Sequence, residues 1–178
     1  MMRRGTVHAK RASMTIEELR LRRETEEDAS FLKALFRSTR GDLLQLGLPS
    51  EMLDNLLEMQ FHAQRSSYRN QYHASDNSII EKNRETIGVM LKNVGASEIR
   101  LVYIALLPEE RGKGYGRRLV KELQQEAALA EKPLTLSVDP RNDTARGLYL
   151  SLGFKVTQDD GANLEMVWRA GMPVRDVQ

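Results

Sequence analysis

The chain alternates apolar and polar residues at Leu19-Arg20-Leu21-Arg22, the period of a half-buried strand. Thr25-Glu26-Glu27-Asp28 then reads as a capping box, and Phe31, Leu32, Leu35 and Phe36 recur at helical spacing up to about Arg40. The stretch 41–49 breaks that pattern. From Ser50 the stripe Leu53, Leu57, Phe61, Tyr68 and Tyr72 predicts a longer helix whose apolar face packs on a core. Ser78–Glu81 and Thr86–Leu91 read as two strands of a hairpin joined by the polar turn 82–85. Residues 99–107 are almost continuously apolar, which suits a central strand covered on both faces. Leu119, Val120, Leu123, Ala127 and Ala130 mark a helix that stops before Pro133. Leu134–Val138 is the next strand, and 142–152 the next helix, with Gly153 suited to its C-terminal cap. Two closing strands, 154–158 and 163–169, flank the Asp-Gly turn around Asp159, Asp160 and Gly161. The order β-α-α-β-β-β-α-β-α-β-β predicts a single α/β domain with a mixed sheet flanked by helices.

Composition narrows the function classes. At 178 residues and 40% hydrophobic the chain supports one well-buried core. Its formal charge is +2, and four cations (Arg3, Arg4, Lys10, Arg11) fall in the first fourteen residues, leaving 23 basic and 25 acidic residues from Thr15 onward. A surface built to track nucleic-acid phosphates needs a clustered basic excess, so no nucleic-acid partner is expected. With no cysteine and three scattered histidines (His8, His62, His73), disulfides and thiolate chemistry are excluded and no metal site is expected. No stretch has the length of a membrane helix, and a cytoplasmic protein is expected. Residues 1–14 lack hydrophobic periodicity and are expected to form a flexible basic tail before a domain at 15–178.

Arg111-Gly112-Lys113-Gly114-Tyr115-Gly116 carries the strongest chemical signal. It lies between the apolar run and the following helix, where glycines let several N–H groups face a ligand and the helix start adds free donors and a positive dipole end. An anion is the expected guest. A P-loop would need Ser or Thr after Lys113, where Gly114 stands, and the dinucleotide fingerprint would need glycine at Arg117. The second constellation is Asn142, Ala145 and Tyr149, which share one helical face leading to Leu152-Gly153-Phe154.

The loop and the Asn–Ala–Tyr helix, in this order and separated by one helix and one strand, resemble the two motifs of the GNAT superfamily of acyl-CoA-dependent N-acyltransferases. The resemblance covers 15–170 and is strongest over 99–154. It implies a single-domain fold with a mixed, mostly antiparallel central sheet, and acetyl-CoA as cosubstrate. It further implies that Ile104, Ala105 and Leu106 offer backbone to the pantetheine, that Arg111, Gly112, Lys113, Gly114, Tyr115 and Gly116 hold the pyrophosphate, and that Asn142, Ala145 and Tyr149 face the donor. Tyr149 is the implied general acid. The implied reaction is acetyl transfer to a primary amine of a small molecule, peptide or protein. A catalytically silent acyl-CoA-binding regulatory module is the alternative.

The general base is not evident. Some relatives carry a glutamate where this chain has Ser137, and Tyr103 occupies a central-strand place where an acid could have served. Asp139, Glu98, Glu81 or a chain of waters are the candidates. A missing strong base favours acceptors of low pKa, because an amine near 7.8 is about one-tenth neutral at pH 7 while one near 10.4 is under ~0.1% neutral. The implied acceptor-side loops are 41–50 and 158–163, with Asp159 and Asp160 placed to attract a cation. Homodimers are common among similar proteins, and a homodimer is a further expectation.

Overall fold

A computed structural model of the protein describes residues 18–73 and 75–171; the basic N-terminal segment lies outside them. Seven strands form one sheet: β1 (Leu19–Arg23), β2 (Ser75–Lys82), β3 (Glu85–Val94), β4 (Ile99–Leu106), β5 (Leu134–Val138), β6 (Lys155–Asp159) and β7 (Leu164–Trp168). Their order is β1-β2-β3-β4-β5-β7-β6, antiparallel throughout except for β4 beside β5. Helices α1 (Ala29–Thr39), α2 (Gly41–Leu44) and α3 (Ser50–Gln71) precede β2, α4 (Tyr115–Leu129) follows β4, and α5 (Asp143–Ser151) follows β5. The α2 turn occupies a stretch whose sequence pattern gives no helix, and Leu43 there is buried. The β2–β3 turn is tighter than the sequence suggests: only Asn83 and Arg84 turn the chain, both with positive φ (51° and 73°).

The two faces of the sheet carry separate cores. On one, Ile80, Met90, Ile99, Leu101, Leu134, Leu136 and Met166 pack beneath Leu119, Val120, Leu123 and Ala127 of α4 and Tyr149 of α5. On the other, Ile79, Val89 and Ala105 pack under α1 and α3 through Leu32, Leu35, Phe36, Leu57 and Phe61. Burial of this kind contributes roughly 25 cal/mol per Å² of apolar surface and fixes which face each helix takes.

A single irregularity in β4 organises the rest. Leu91 pairs with Tyr103 and Lys92 with Leu101, so Val102 is an extra residue opposite the β3 ladder. Such a bulge reverses the alternation of side chains. Ile99 and Leu101 point to the α4 side before it, while Ala105 belongs to the α1 and α3 side after it. This is how a continuously apolar run serves two cores. β4 pairs with β5 only through Ile99–Leu134, Arg100–Thr135 and Leu101–Leu136, and beyond those pairs the two strands part. No helix among the described residues is long and apolar enough to cross a membrane.

Candidate active site

The parting of β4 and β5 leaves a cleft of about 730 Å³ that passes through the sheet. From β4 it is lined by Leu101 to Leu106, from β5 by Leu136, Ser137 and Val138, from the glycine loop by Arg111, Gly112 and Gly114, and from α4 by Gly116, Arg117 and Val120. Asn142, Ala145, Leu148 and Tyr149 of the α5 region close one side, and Thr39 at the end of α1 borders the other.

Gly112 and Gly114 have φ of 75° and 89°, a region that L side chains rarely adopt, and a Cβ at either would meet no protein atom within 4 Å. The loop therefore presents bare backbone to open space. The first backbone bond into α4 runs from Arg118 N–H to the Gly114 carbonyl at 3.0 Å, so the amides of Gly116 and Arg117 precede the first intrahelical bond. Backbone amides at such a helix start, with the positive end of its dipole, are suited to an anion.

The loop cations are tethered. Arg111 donates from Nε to the Leu106 carbonyl at 2.9 Å and from Nη2 to Ser38 Oγ at 3.1 Å, which ties the loop to β4 and α1. Lys113 is turned towards Glu110 at 3.1 Å, outside the cleft lining. Arg117 donates to Ser151 Oγ at 2.8 Å. The Tyr115 side chain is buried in the α4 core, so this residue offers the cleft its backbone alone.

Asn142 caps α5, its Oδ1 accepting the Ala145 N–H at 3.1 Å. The cap sets the start of the helix and thereby the direction in which Ala145 and Tyr149 project, since positions four apart share a face. Tyr149 is 6% exposed, its ring tilted against Phe154 at 5.6 Å, and burial pushes its phenol up to about 12. At neutral pH it is a protonated hydrogen-bond donor.

The structure thus gathers Ile104, Ala105, Leu106, Arg111, Gly112, Gly114, Gly116, Asn142, Ala145 and Tyr149 around one cleft, with Lys113 and the Tyr115 side chain directed elsewhere. Of the carboxylates considered as bases, Asp139 lines the cleft and Glu81 and Glu98 do not. Glu81 is held by Arg22 at 2.7 Å on β2, Glu98 precedes the paired start of β4, and Asp139 is clasped by Arg141, which holds its pKa down at about 2. Asp159 and Asp160 cap the β6–β7 turn, accepting from the amides of Gly161, Ala162 and Asn163. Among the described residues no group of His, Asp or Glu is arranged to hold a metal ion. Thr39, Val120 and Leu148 are cleft residues that sequence reasoning missed. Spacing gives a signal for two of them: Val120 lies one helical turn after Gly116, and Leu148 shares the Ala145 and Tyr149 face.

Comparison with known proteins agrees with this geometry. The family model described as FR47-like protein matches residues 80–161, which hold β4, the glycine loop and α5. A 5-NmdU N-acetyltransferase of Pseudomonas phage PaMx11 is 35% identical over 65 residues, 36% of this chain and 45% of the phage protein, so the match spans less than half of that relative. Among solved structures, the PaiA N-acetyltransferase of Thermoplasma acidophilum in complex with coenzyme A superposes with a TM-score of 0.65 at 18% identity, over 85% of this chain and 99% of that one. The ribosomal-protein-S18-alanine N-acetyltransferase of Escherichia coli does so at 0.60 and 19%, over 90% and 99%. At these identities the structural likeness is one of fold. Both sequence motifs thus stand on the walls of one cleft, the FR47-like match runs across them, and the fold around them is the one these acetyltransferase structures share.

Proposed function

We propose that the protein is an acetyl-CoA-dependent N-acetyltransferase acting on a primary amine, in the cytoplasm where its donor is available. The observation that carries this reading is the cleft through the sheet, with a bare-glycine anion seat at one end and a protonated tyrosine on its wall. A linear thioester with a pyrophosphate suits that shape: Gly112, Gly114 and Gly116 supply amides for the phosphates, and the strand edges of Val102–Leu106 and Ser137–Val138, which lack a β partner across the gap, offer main-chain groups to the pantetheine. Lys113 and Arg117 are within the same turn to add charge once a phosphate competes for them.

The bound thioester supplies the acetyl group. Tyr149 donates a hydrogen bond to the sulfur, and this bond strengthens as negative charge builds there. Full proton transfer from a phenol near 12 to a thiolate near 8.5 is uphill by about 5 kcal/mol, so the main contribution of Tyr149 is this hydrogen bond. The low exposure of Tyr149 keeps water from competing for it.

The test is a thiol-release assay with acetyl-CoA against amines, amino acids and peptides, run beside Tyr149→Phe. We expect acetyl-CoA binding to survive the substitution and turnover to fall roughly 10²-fold or more. Wild-type protein that binds acetyl-CoA and turns over no acceptor would instead support the silent binding module.

A further inference from the structure

Resting on the donor reading above, we infer that Glu110 holds Lys113 in reserve beside the glycine loop. When the donor binds, Lys113 passes to the pyrophosphate while Lys82 keeps Glu110 neutralised. Glu110 is the last residue of a single 3-10 turn, Pro108–Glu110, that leads from β4 into the loop. The Leu107 N–H bonds the Ile87 carbonyl of β3 at 2.9 Å, and the Glu110 N–H closes on the Leu107 carbonyl at 2.9 Å. The carboxylate is thereby fixed beneath the loop, and it is buried. A carboxylate in that position stays charged only beside a cation.

Two lysines bracket it, and they are not equivalent. Lys82, at the end of β2, donates from Nζ to Oε1 at 2.7 Å, and its side chain is 15% exposed. The same ammonium lies 5.7 Å from the ring centre of Tyr115, which belongs to the α4 core. The β2–β3 hairpin, the loop and α4 thus meet at one fixed charge. Lys113 Nζ is 3.1 Å from Oε2, an oxygen that accepts no hydrogen bond, and its side chain is 48% exposed. The two ammonium groups, Lys82 first, hold the Glu110 carboxyl below the usual carboxylate range.

One carboxylate needs one positive charge, and Lys82 is the tighter partner. Lys113 is the surplus. While it faces Glu110 its ammonium lies outside the cleft lining, so it cannot serve Glu110 and a ligand in the cleft together. Its backbone nevertheless stands between Gly112 and Gly114, which do line the cleft and present no side chain in its way. Rotation about the torsions of its own four-carbon stem carries the ammonium across. A pyrophosphate bears more charge than a carboxylate that Lys82 already neutralises, so it draws Lys113 away. Breaking the Lys113–Glu110 contact offsets part of that gain, and Glu110 thereby moderates donor affinity.

The experiment measures acetyl-CoA affinity by calorimetry for wild type, Glu110→Gln, Lys113→Met and the double variant, at low and at high salt. Glutamine keeps an acceptor for Lys82 and removes the charge that holds Lys113. We expect Glu110→Gln to bind acetyl-CoA roughly three- to tenfold more tightly at low salt, Lys113→Met to bind it more weakly by a similar factor, and the double variant to match Lys113→Met. The gain should shrink in high salt and persist with 3′-dephospho-CoA, which keeps the pyrophosphate and lacks the remaining phosphate. Weaker or unchanged binding in Glu110→Gln, or a gain that survives in the double variant, would overturn the reserve role. A gain lost with 3′-dephospho-CoA would overturn the assignment of Lys113 to the pyrophosphate. Unchanged affinity in Lys113→Met overturns the proposal even where Glu110→Gln fails to fold. Wild-type protein that binds neither acetyl-CoA nor 3′-dephospho-CoA overturns the donor reading itself.

Discussion

Gly114 separates two demands that one residue meets. Its φ of 89° imposes a conformational cost on any side chain, of order 1–3 kcal/mol, while the space around its Cβ position is empty of protein. A substitution there therefore strains the loop without colliding with the fold. Gly114→Glu is expected to stay folded, lose a few degrees of melting temperature, and lose acetyl-CoA binding by at least tenfold, because the carboxylate enters the space of the phosphates. Calorimetry on the folded variant reads the outcome, and unchanged affinity would remove the anion seat from the proposed function. The glycines and Tyr149 were legible in the sequence because each expresses a local requirement. The tethering of Arg111 to Leu106 and Ser38, and of Arg117 to Ser151, was not, since their partners are brought near only by the fold.

At the scale of elements, hydrophobic period marked every strand and all the helices but α2, whose one turn is too short for a pattern to develop. The capping box at Thr25 is present in a fuller form than a cap alone. Asp28 accepts from Thr25 N at 2.8 Å and from the Arg22 guanidinium at 2.6 and 2.8 Å, and so binds β1 to the start of α1. The side-chain hydrogen bond from Arg22 holds the Asp28 carboxyl well below the usual carboxylate range. A depressed folded-state pKa stabilises above the unfolded value, near 3.9, and that contribution is lost as pH falls further. Asp28→Asn should therefore cost roughly 3 kcal/mol at pH 7 in denaturant titrations, and the gap to wild type should narrow below pH 4. A gap that is constant with pH would mean that shape, not charge, matters at this position.

For the whole molecule, the weak point and the working point coincide. Two antiparallel half-sheets meet only at three parallel pairs between β4 and β5, and the cleft opens directly beyond them. A ligand that bonds both open edges joins the halves. Acetyl-CoA at a hundred times its dissociation constant should raise stability by about 2.7 kcal/mol, and hydrogen exchange should slow at Val102–Leu106 and Ser137–Val138 more than in β1 or β2. Uniform protection across the sheet, or none at the cleft edges, would count against binding between the strands.

Local chemistry in the sequence by itself determined the element order, the alternating apolar faces, the left-handed glycine turn and the Asn–Ala–Tyr face, because turn conformation, periodicity and capping depend on residues within a few positions of one another. Only the tertiary structure decided where β4 bulges, which cations are already engaged, and which of the carboxylates considered as bases lines the cleft. Val102 is an extra residue only relative to β3, and Arg111 meets Ser38 only because the fold joins residues 73 positions apart. Pairing across a sheet is a non-local choice, settled when both faces are buried at once.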